Sequence, residues 1–291
     1  MFVRMTKEYK MIRLCAFSDE AADSLSGQIA ALHRNNIALT ELRSVDKTNV
    51  AAFSEKEAIE IRHILNSEGI AVWSVGSPLG KCDISIQKSE WSEQVRNICA
   101  IANAFGTDKI RAFSFFNAYD RKEKVIEYLN AAGEIAASFG DTLCHENEKE
   151  VYGDTCERVE YLMRNLPKWK FVYDPANFVQ CGEKAEDTLR LAKRCEYYHI
   201  KDVVSATGEL VPAGEGDGKI DELLRFIDKD AVFTVEPHLA IFGAYSQIDN
   251  TEMKLRYSFE NKQKAFDAAV SAFKKLLETG GWQSFNGGYV K

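Results

Sequence analysis

Short apolar runs alternate with longer amphipathic stretches along the whole chain. Eight runs read as strands: IRLCAF from Ile12, IALTELR from Ile37, IAVWSV from Ile70, KIRAFSF from Lys109, and then TLCHE, KFVYD, YYHIK and VFTVE. The stretches between them carry apolar residues at helical spacing. Examples are Leu25, Ile29 and Leu32; Val95, Ile98, Ala102 and Phe105; Val159, Leu162, Met163 and Leu166; and Phe266, Val270, Phe273 and Leu277. Ser54 with Glu57 reads as a capping box, and Asp154 with Glu157 as a similar helix start. Ser18 reads as the N-cap of the first helix, and Gly69 and Gly140 sit where C-cap glycines belong.

Strand followed by helix, eight times over and with no Pro/Gly/Ser-rich linker, predicts an α/β fold. We expect a (β/α)8 TIM barrel forming a single domain over residues 1–291. A doubly wound open sheet is the rival, but no GxGxxG follows the first strand. Side-chain alternation agrees with a barrel, because residues two apart in a strand share a face. Counting back from the ends of the last four runs, Thr142, Cys144, Lys170, Val172, Tyr197, Val232 and Thr234 point inward. Leu143, His145, Phe171, Tyr173, Tyr198, Ile200, Phe233 and Val235 point out toward the helices. His145 and Lys170 are the awkward members, and Lys170 is expected at the bottom rim.

Composition narrows the function. The 291 residues carry a formal charge of −7, which disfavours a phosphate-backbone binder built on clustered Lys and Arg. The first ten residues, MFVRMTKEYK, lack the apolar core of a signal peptide, and no apolar run is long enough to span a bilayer. The seven cysteines are scattered without a CxxC, so neither a disulfide framework nor a zinc-thiolate site is expected, and a reducing cytoplasm is the default. Cys144 reads as a small core residue.

The chemistry concentrates at strand ends. Glu146, Asp174, His199 and Glu236 close or nearly close the last four runs. Two carboxylates, an imidazole and a third carboxylate form a hard-to-borderline ligand set for one divalent cation, and converging strand ends are where a barrel keeps its chemistry. Each residue has a blander reading. An acid at a strand end is often a helix cap, but the next helix starts too far on for Glu146 to cap it. Asp174 precedes a proline, which is ordinary turn chemistry. A lone histidine is usually a satisfied core group, but Lys201 shares the face of His199, and two inward polar residues are costly without a task. Glu236 ends an apolar run that stability alone does not explain. Glu41, Arg43, Arg111, Lys201 and His238 are candidate substrate contacts, with salt bridges or solvated lysines as their bland alternatives. Glu148 is kept as a loop or outer partner. VPAGEGDGKI lacks the GK[ST] of a phosphate loop and reads as a mobile loop over the barrel mouth.

With SDEA, TELR, VGSPLGK, HENE, YDPANF, HIKD, PAGEGDG and EPHL in this order, the chain resembles the sugar phosphate isomerase/epimerase family of xylose-isomerase-like barrels over nearly its whole length. The resemblance implies one divalent metal ion, commonly manganese, magnesium or cobalt, with zinc also compatible. It places the ligands on Glu146, Asp174, His199 and Glu236 and the acid/base pair on Glu146 and Glu236. Many relatives carry histidine three residues after the aspartate. Asn177 stands there, and with only five histidines in the chain the three-zinc cluster of the related abasic-site endonucleases is not expected. The implied activity is isomerisation or epimerisation of a ketose or its phosphate, by proton abstraction next to a carbonyl through a metal-stabilised enediolate. A keto-inositol dehydratase on the same metal site and a non-catalytic sugar-binding barrel are the alternatives. Partners are expected to be small sugars, with neither nucleic acid nor membrane, and homo-oligomerisation is left open.

Overall fold

The computed structural model of the protein describes residues 10–240 and 253–291; residues 1–9, most of the charged N-terminal stretch, lie outside it. The apolar runs become parallel strands: β1 (Met11–Ala16), β2 (Leu39–Leu42), β3 (Ala71–Val75), β4 (Lys109–Ala112), β5 (Thr142–Glu146), β6 (Lys170–Tyr173), β7 (Tyr197–Ile200) and β8 (Ala231–Val235). Each pairs with the next. β8 returns to β1 with Ile12–Ala16 opposite Ala231–Val235, which closes a (β/α)8 barrel. The fourth strand stops three residues before the apolar run does. Beyond it, the N–H groups of Phe113, Phe115 and Phe116 donate to the carbonyls of Leu79, Gly80 and Cys82 instead, and Phe115 takes a φ of 73° while buried.

The helices surround the strands: α1 (Leu25–Arg34), α2 (Glu55–Ser67), α3 (Lys88–Phe105), α4 (Lys122–Phe139), α5 (Cys156–Asn165), α6 (Pro175–Gln180), α7 (Ala185–Ala192), α8 (Ile220–Phe226) and α9 (Lys262–Thr279). Ser54 and Glu57 form the expected capping box at α2. Gly140 ends α4 in the left-handed region, and Gly69 turns just past α2 with φ 71°. Two start signals fall elsewhere. Ser24, not Ser18, caps α1; Ser18 lies in a 3-10 turn and donates to Gln28 Oε1 at 2.9 Å. Thr155, not Asp154, caps α5, because Asp154 is taken by Tyr119 Oη and Arg158 Nη1, each at 2.6 Å. A capping pattern read from sequence misses these because the competing groups, Gln28, Tyr119 and Arg158, lie outside the capping motif itself.

The alternation expected of a barrel is present as two separate cores. Cys15, Cys144, Val172, Tyr197 and Val232 pack together inside the strands. Leu143, Phe171, Tyr173, Tyr198, Ile200, Phe233 and Val235 join the larger core between strands and helices. Lys170 is exposed at the bottom rim beside Glu196. His145 is accommodated in the outer core because Ser114 Oγ lies 2.9 Å from its Nε2, and burial pushes its pKa down to about 3, so the ring stays neutral.

The floor has a further component. A hairpin of β9 (Gln283–Phe285) and β10 (Gly288–Val290) lays β10 antiparallel along Met11–Arg13 of β1, while Cys15 and Ala16 pair with β2. The last strand of the chain thus fills the edge of β1 that β2 does not reach.

The glycine-rich stretch after β7 is tethered and does not behave as the free loop expected from its composition. Asp202 is fully buried. Its Oδ2 accepts from the N–H groups of Gly214 and Gly216 at 2.8 and 3.0 Å, and its Oδ1 from those of Gly218 and Val203 at 2.9 Å. A Cβ on Gly216 would meet Asp202 Oδ1 at 2.4 Å, so the wrap requires glycine there. Among the described residues, no helix is long and apolar enough to cross a membrane.

Candidate metal centre

Four consecutive strand ends deliver Glu146, Asp174, His199 and Glu236 to one point at the C-terminal rim. One ligand atom from each lies within 4.8 Å of the others, and all four residues are buried. Local folding places each one. Glu146 and His199 are members of β5 and β7, and Glu236 directly follows β8. Asp174 follows β6 and caps α6, accepting the Asn177 N–H on Oδ1 at 3.0 Å. Asn147 clamps two of these ends together: its Oδ1 accepts from the Asp174 N–H at 2.9 Å, and its Nδ2 donates to the Asp174 carbonyl at 2.8 Å.

His199 organises the centre. Its Nδ1 lies 3.0 Å from Glu146 Oε1 and 3.5 Å from Glu236 Oε2. On the other edge of the ring, Nε2 lies 3.0 Å from Glu41 Oε2. Glu41 also accepts from Tyr197 Oη and from Thr234 Oγ1, each at 2.9 Å. Glu41 therefore sits beneath the imidazole, fully buried, on the side away from Glu146. Phe17 packs edge-on against the ring at 5.2 Å and lies under both Arg43 and Arg111.

The surrounding cations hold the carboxylates. Arg43 clamps Asp19 through Nε and Nη2 at 2.9 and 3.0 Å, and reaches Glu20 and Glu236, each at 3.2 Å. Arg111 Nη1 lies 3.3 Å from Glu146 Oε2. Lys201 Nζ lies 3.1 Å from Asp174 Oδ2 and 3.4 Å from Glu236 Oε2. His238, with a strained φ of 46°, donates its backbone N–H to Glu20 Oε2 at 2.7 Å, and its Nε2 is 3.5 Å from Glu236 Oε1. Glu148 pairs with Lys81 at 3.0 Å. All nine residues singled out in the sequence thus fall in one connected network. Sequence reasoning missed Asp19, Glu20, Asn147, Tyr197 as a donor, and Phe17. Asp19 and Glu20 carried a usable signal, since SDEA follows the first strand at the same rim.

The site is overfilled with negative charge. Asp19, Glu20, Glu41, Glu146, Asp174 and Glu236 are buried against three permanent cations, Arg43, Arg111 and Lys201. Burial, opposed by Arg43 and helped by Glu236 and Asp19, pushes Glu20 up to about 8. Burial, opposed by Lys201 and helped by Glu146 and Glu236, pushes Asp174 up to about 6. For His199, burial works downward, but Glu146 and Glu41 outweigh it and hold the ring well above its ordinary value. For Glu236, burial works upward, but Lys201 and His238 outweigh it and hold the carboxyl well below its ordinary value. Glu146 Oε2 and Asp174 Oδ2 accept no hydrogen bond despite full burial. Each has a single cation beside it, Arg111 and Lys201 respectively, and carboxylate oxygens without a hydrogen bond, among hard and borderline donors in an acid-rich pocket, suit a divalent cation. Glu41 on Nε2 would leave Nδ1 as the imidazole's ligand atom, the arrangement by which carboxylates orient metal-binding histidines.

The profile of the family described as "Xylose isomerase-like TIM barrel" matches residues 30–281. No curated protein matches the chain in sequence. Among solved structures, the fold is shared with D-allulose 3-epimerase from Methylomonas sp. (16% identity, 92% of this chain and 99% of that one, TM-score 0.68). It is also shared with the IOLI protein, solved with a binding zinc atom (15%, 92% and 98%, TM-score 0.68). A third is the probable 3-DHS dehydratase AsbF from Bacillus anthracis, involved in petrobactin synthesis (17%, 91% and 98%, TM-score 0.68). At these identities the likeness is one of fold.

Proposed function

The chain belongs to the xylose isomerase-like TIM barrel family, and from that premise we propose that it is an isomerase or epimerase that moves a proton beside the carbonyl of a ketose or ketose phosphate. Glu146, Asp174, His199 and Glu236 would hold one divalent cation for this reaction. The observation that carries the reading is the convergence of four ligand atoms from four successive strand ends within 4.8 Å, from residues of which Glu146 and Asp174 each have a carboxylate oxygen that accepts no hydrogen bond. A manganese, magnesium, cobalt or zinc ion held there supplies Lewis acidity toward the oxygens of a bound ketose.

The remaining work falls to the side chains. Glu146 and Glu236 are the acid/base pair: one takes the proton from carbon and the other returns one. Arg111 on Glu146 and Arg43 with Lys201 on Glu236 fix where these two carboxylates lie. Asn177 Nδ2 donates to Glu146 Oε1 at 3.2 Å and adds a second restraint on the same group. Glu41, expected as a substrate contact, is read instead as the residue that orients His199. Lys201 and His238 line the approach to Glu236 and are positioned to meet substrate hydroxyls. Residues 1–291 are read as one domain acting in the cytoplasm on a small molecule.

Solvent-deuterium exchange tests the assignment. The metal-loaded protein should exchange the carbon-bound hydrogen of a ketose substrate, and Glu146→Gln and Glu236→Gln should each abolish it. Exchange retained in both variants would refute the pair. Loss of water from a polyhydroxy ketone is a second reading, since the probable 3-DHS dehydratase AsbF shares the barrel; a rising enone absorbance would identify it.

A further inference from the structure

We propose that the site takes an uncharged polyhydroxy ketone and rejects the phosphate ester of the same sugar. The inference rests on the isomerase or epimerase reading of this rim and narrows its substrate class. Recognition of a phosphate dianion needs cations or backbone N–H groups with charge to spare. Among the described residues, two independent features of the rim withhold them.

The first is that the buried cations are already committed. Both arms of the Arg43 fork are on Asp19, and the same guanidinium reaches Glu20 and Glu236. Arg111 stands against Glu146, and its Nη2 donates to the carbonyls of Gly76 and Ser77 at 3.2 and 3.4 Å. Lys201 is shared between Asp174 and Glu236. Lys81 and Lys149 are both on Glu148; with these included, seven buried acids stand against five cations, and even a bound divalent ion leaves the described rim without a positive surplus. A phosphate entering it would meet acids that have no spare counter-ion, which is how a site discriminates against a charged competitor.

The second feature is the cradle itself. Barrels that bind phosphate often do so with the backbone N–H groups of the loops after strands seven and eight. Here the loop after β7 turns Gly214, Gly216 and Gly218 inward, but all three N–H groups are spent on the buried carboxylate of Asp202. The protein supplies its own anion to its own nest. Hydroxyls face no such obstacle, because they can donate to the crowded carboxylates and accept from Lys201 without changing the charge.

The test compares kcat/KM for solvent-deuterium exchange, by NMR on the manganese-loaded protein, for D-fructose, D-tagatose, D-ribulose and D-xylulose and for their phosphate esters. The expected result is exchange into at least one free ketose, with its phosphate poorer by about a hundredfold or more. Asp19→Asn releases Arg43 from its strongest partner and should narrow that ratio about tenfold by improving the phosphate's KM more than kcat. A second readout needs no turnover: sorbitol should raise the unfolding temperature and sorbitol 6-phosphate should not. Phosphates that exchange as well as or better than the free sugars, or an Asp19→Asn ratio unchanged from wild type, would overturn the inference and leave the reaction standing. Exchange into neither class would overturn the reaction and this inference with it.

Discussion

Replacing Asp174 by asparagine should stabilise the metal-free protein and destroy its response to metal. The carboxyl is fully buried, and its pKa is pushed from 3.8 to about 6. A raised acid pKa means that the ionised form is penalised in the folded state. The penalty is absent below about pH 3.8, grows as the pH rises to about 6, and is constant above that. A shift of about two units corresponds to about 3 kcal/mol. Asparagine removes the charge and keeps an oxygen to accept the Asn177 N–H, but it takes one of two carboxylates away from Lys201. A net gain of about 1–3 kcal/mol at pH 8 in EDTA is therefore expected, fading toward pH 4. In manganese at about a hundred times Kd the wild type should gain about 2.7 kcal/mol and the variant nothing, which removes most or all of the variant's advantage. Urea unfolding at both pH values, with and without metal, measures all four quantities. If the variant is the weaker protein in EDTA at pH 8, or if both proteins gain equally from manganese, the centre is not the charge-crowded metal site described here.

Other consequences are open to direct measurement. Glu41→Gln should weaken manganese binding by about 10–100-fold with the fold intact, because Glu41 fixes the ring of His199 from behind; calorimetry showing unchanged affinity would remove that role. Gly216→Ala forces a Cβ to 2.4 Å from Asp202 Oδ1 and 2.6 Å from the Val203 carbonyl, and should cost about 1–3 kcal/mol in urea unfolding. His145, held neutral with a pKa of about 3, leaves the folded state binding fewer protons than the unfolded one between about pH 3 and 6.5. Stability should fall with acid across that window by about 3–5 kcal/mol, and His145→Asn should flatten the slope.

Much of this was legible in the sequence because two periodicities carry it. Alternation along β5 to β8 separated the inner residues Cys144, Val172, Tyr197 and Val232 from the outer set, and the same parity pointed to the strand-end ligands. What escaped were partnerships between residues far apart. Asp154 looked like a helix cap until Tyr119, 35 residues earlier, claimed it. Glu41 read as a candidate substrate contact or a salt-bridge partner at a strand end, and nothing local shows that its side chain reaches across the barrel to His199, 158 residues later. The glycines of PAGEGDG suggested freedom, whereas their N–H groups answer to Asp202. Local composition reports what a segment is able to do, and only closure of the barrel decides which distant group uses it.

That closure also has a timetable. The lower half of β1 is bounded on one side by Ala231 and Val232 and on the other by Gly288–Val290. During synthesis from the N-terminus, those first residues must wait for more than two hundred others before either neighbour exists. Such remote pairing makes folding slow and leaves an apolar edge available to strangers in the interval. The ribosome, or a chaperone at its exit, is where this barrel is most exposed to going astray.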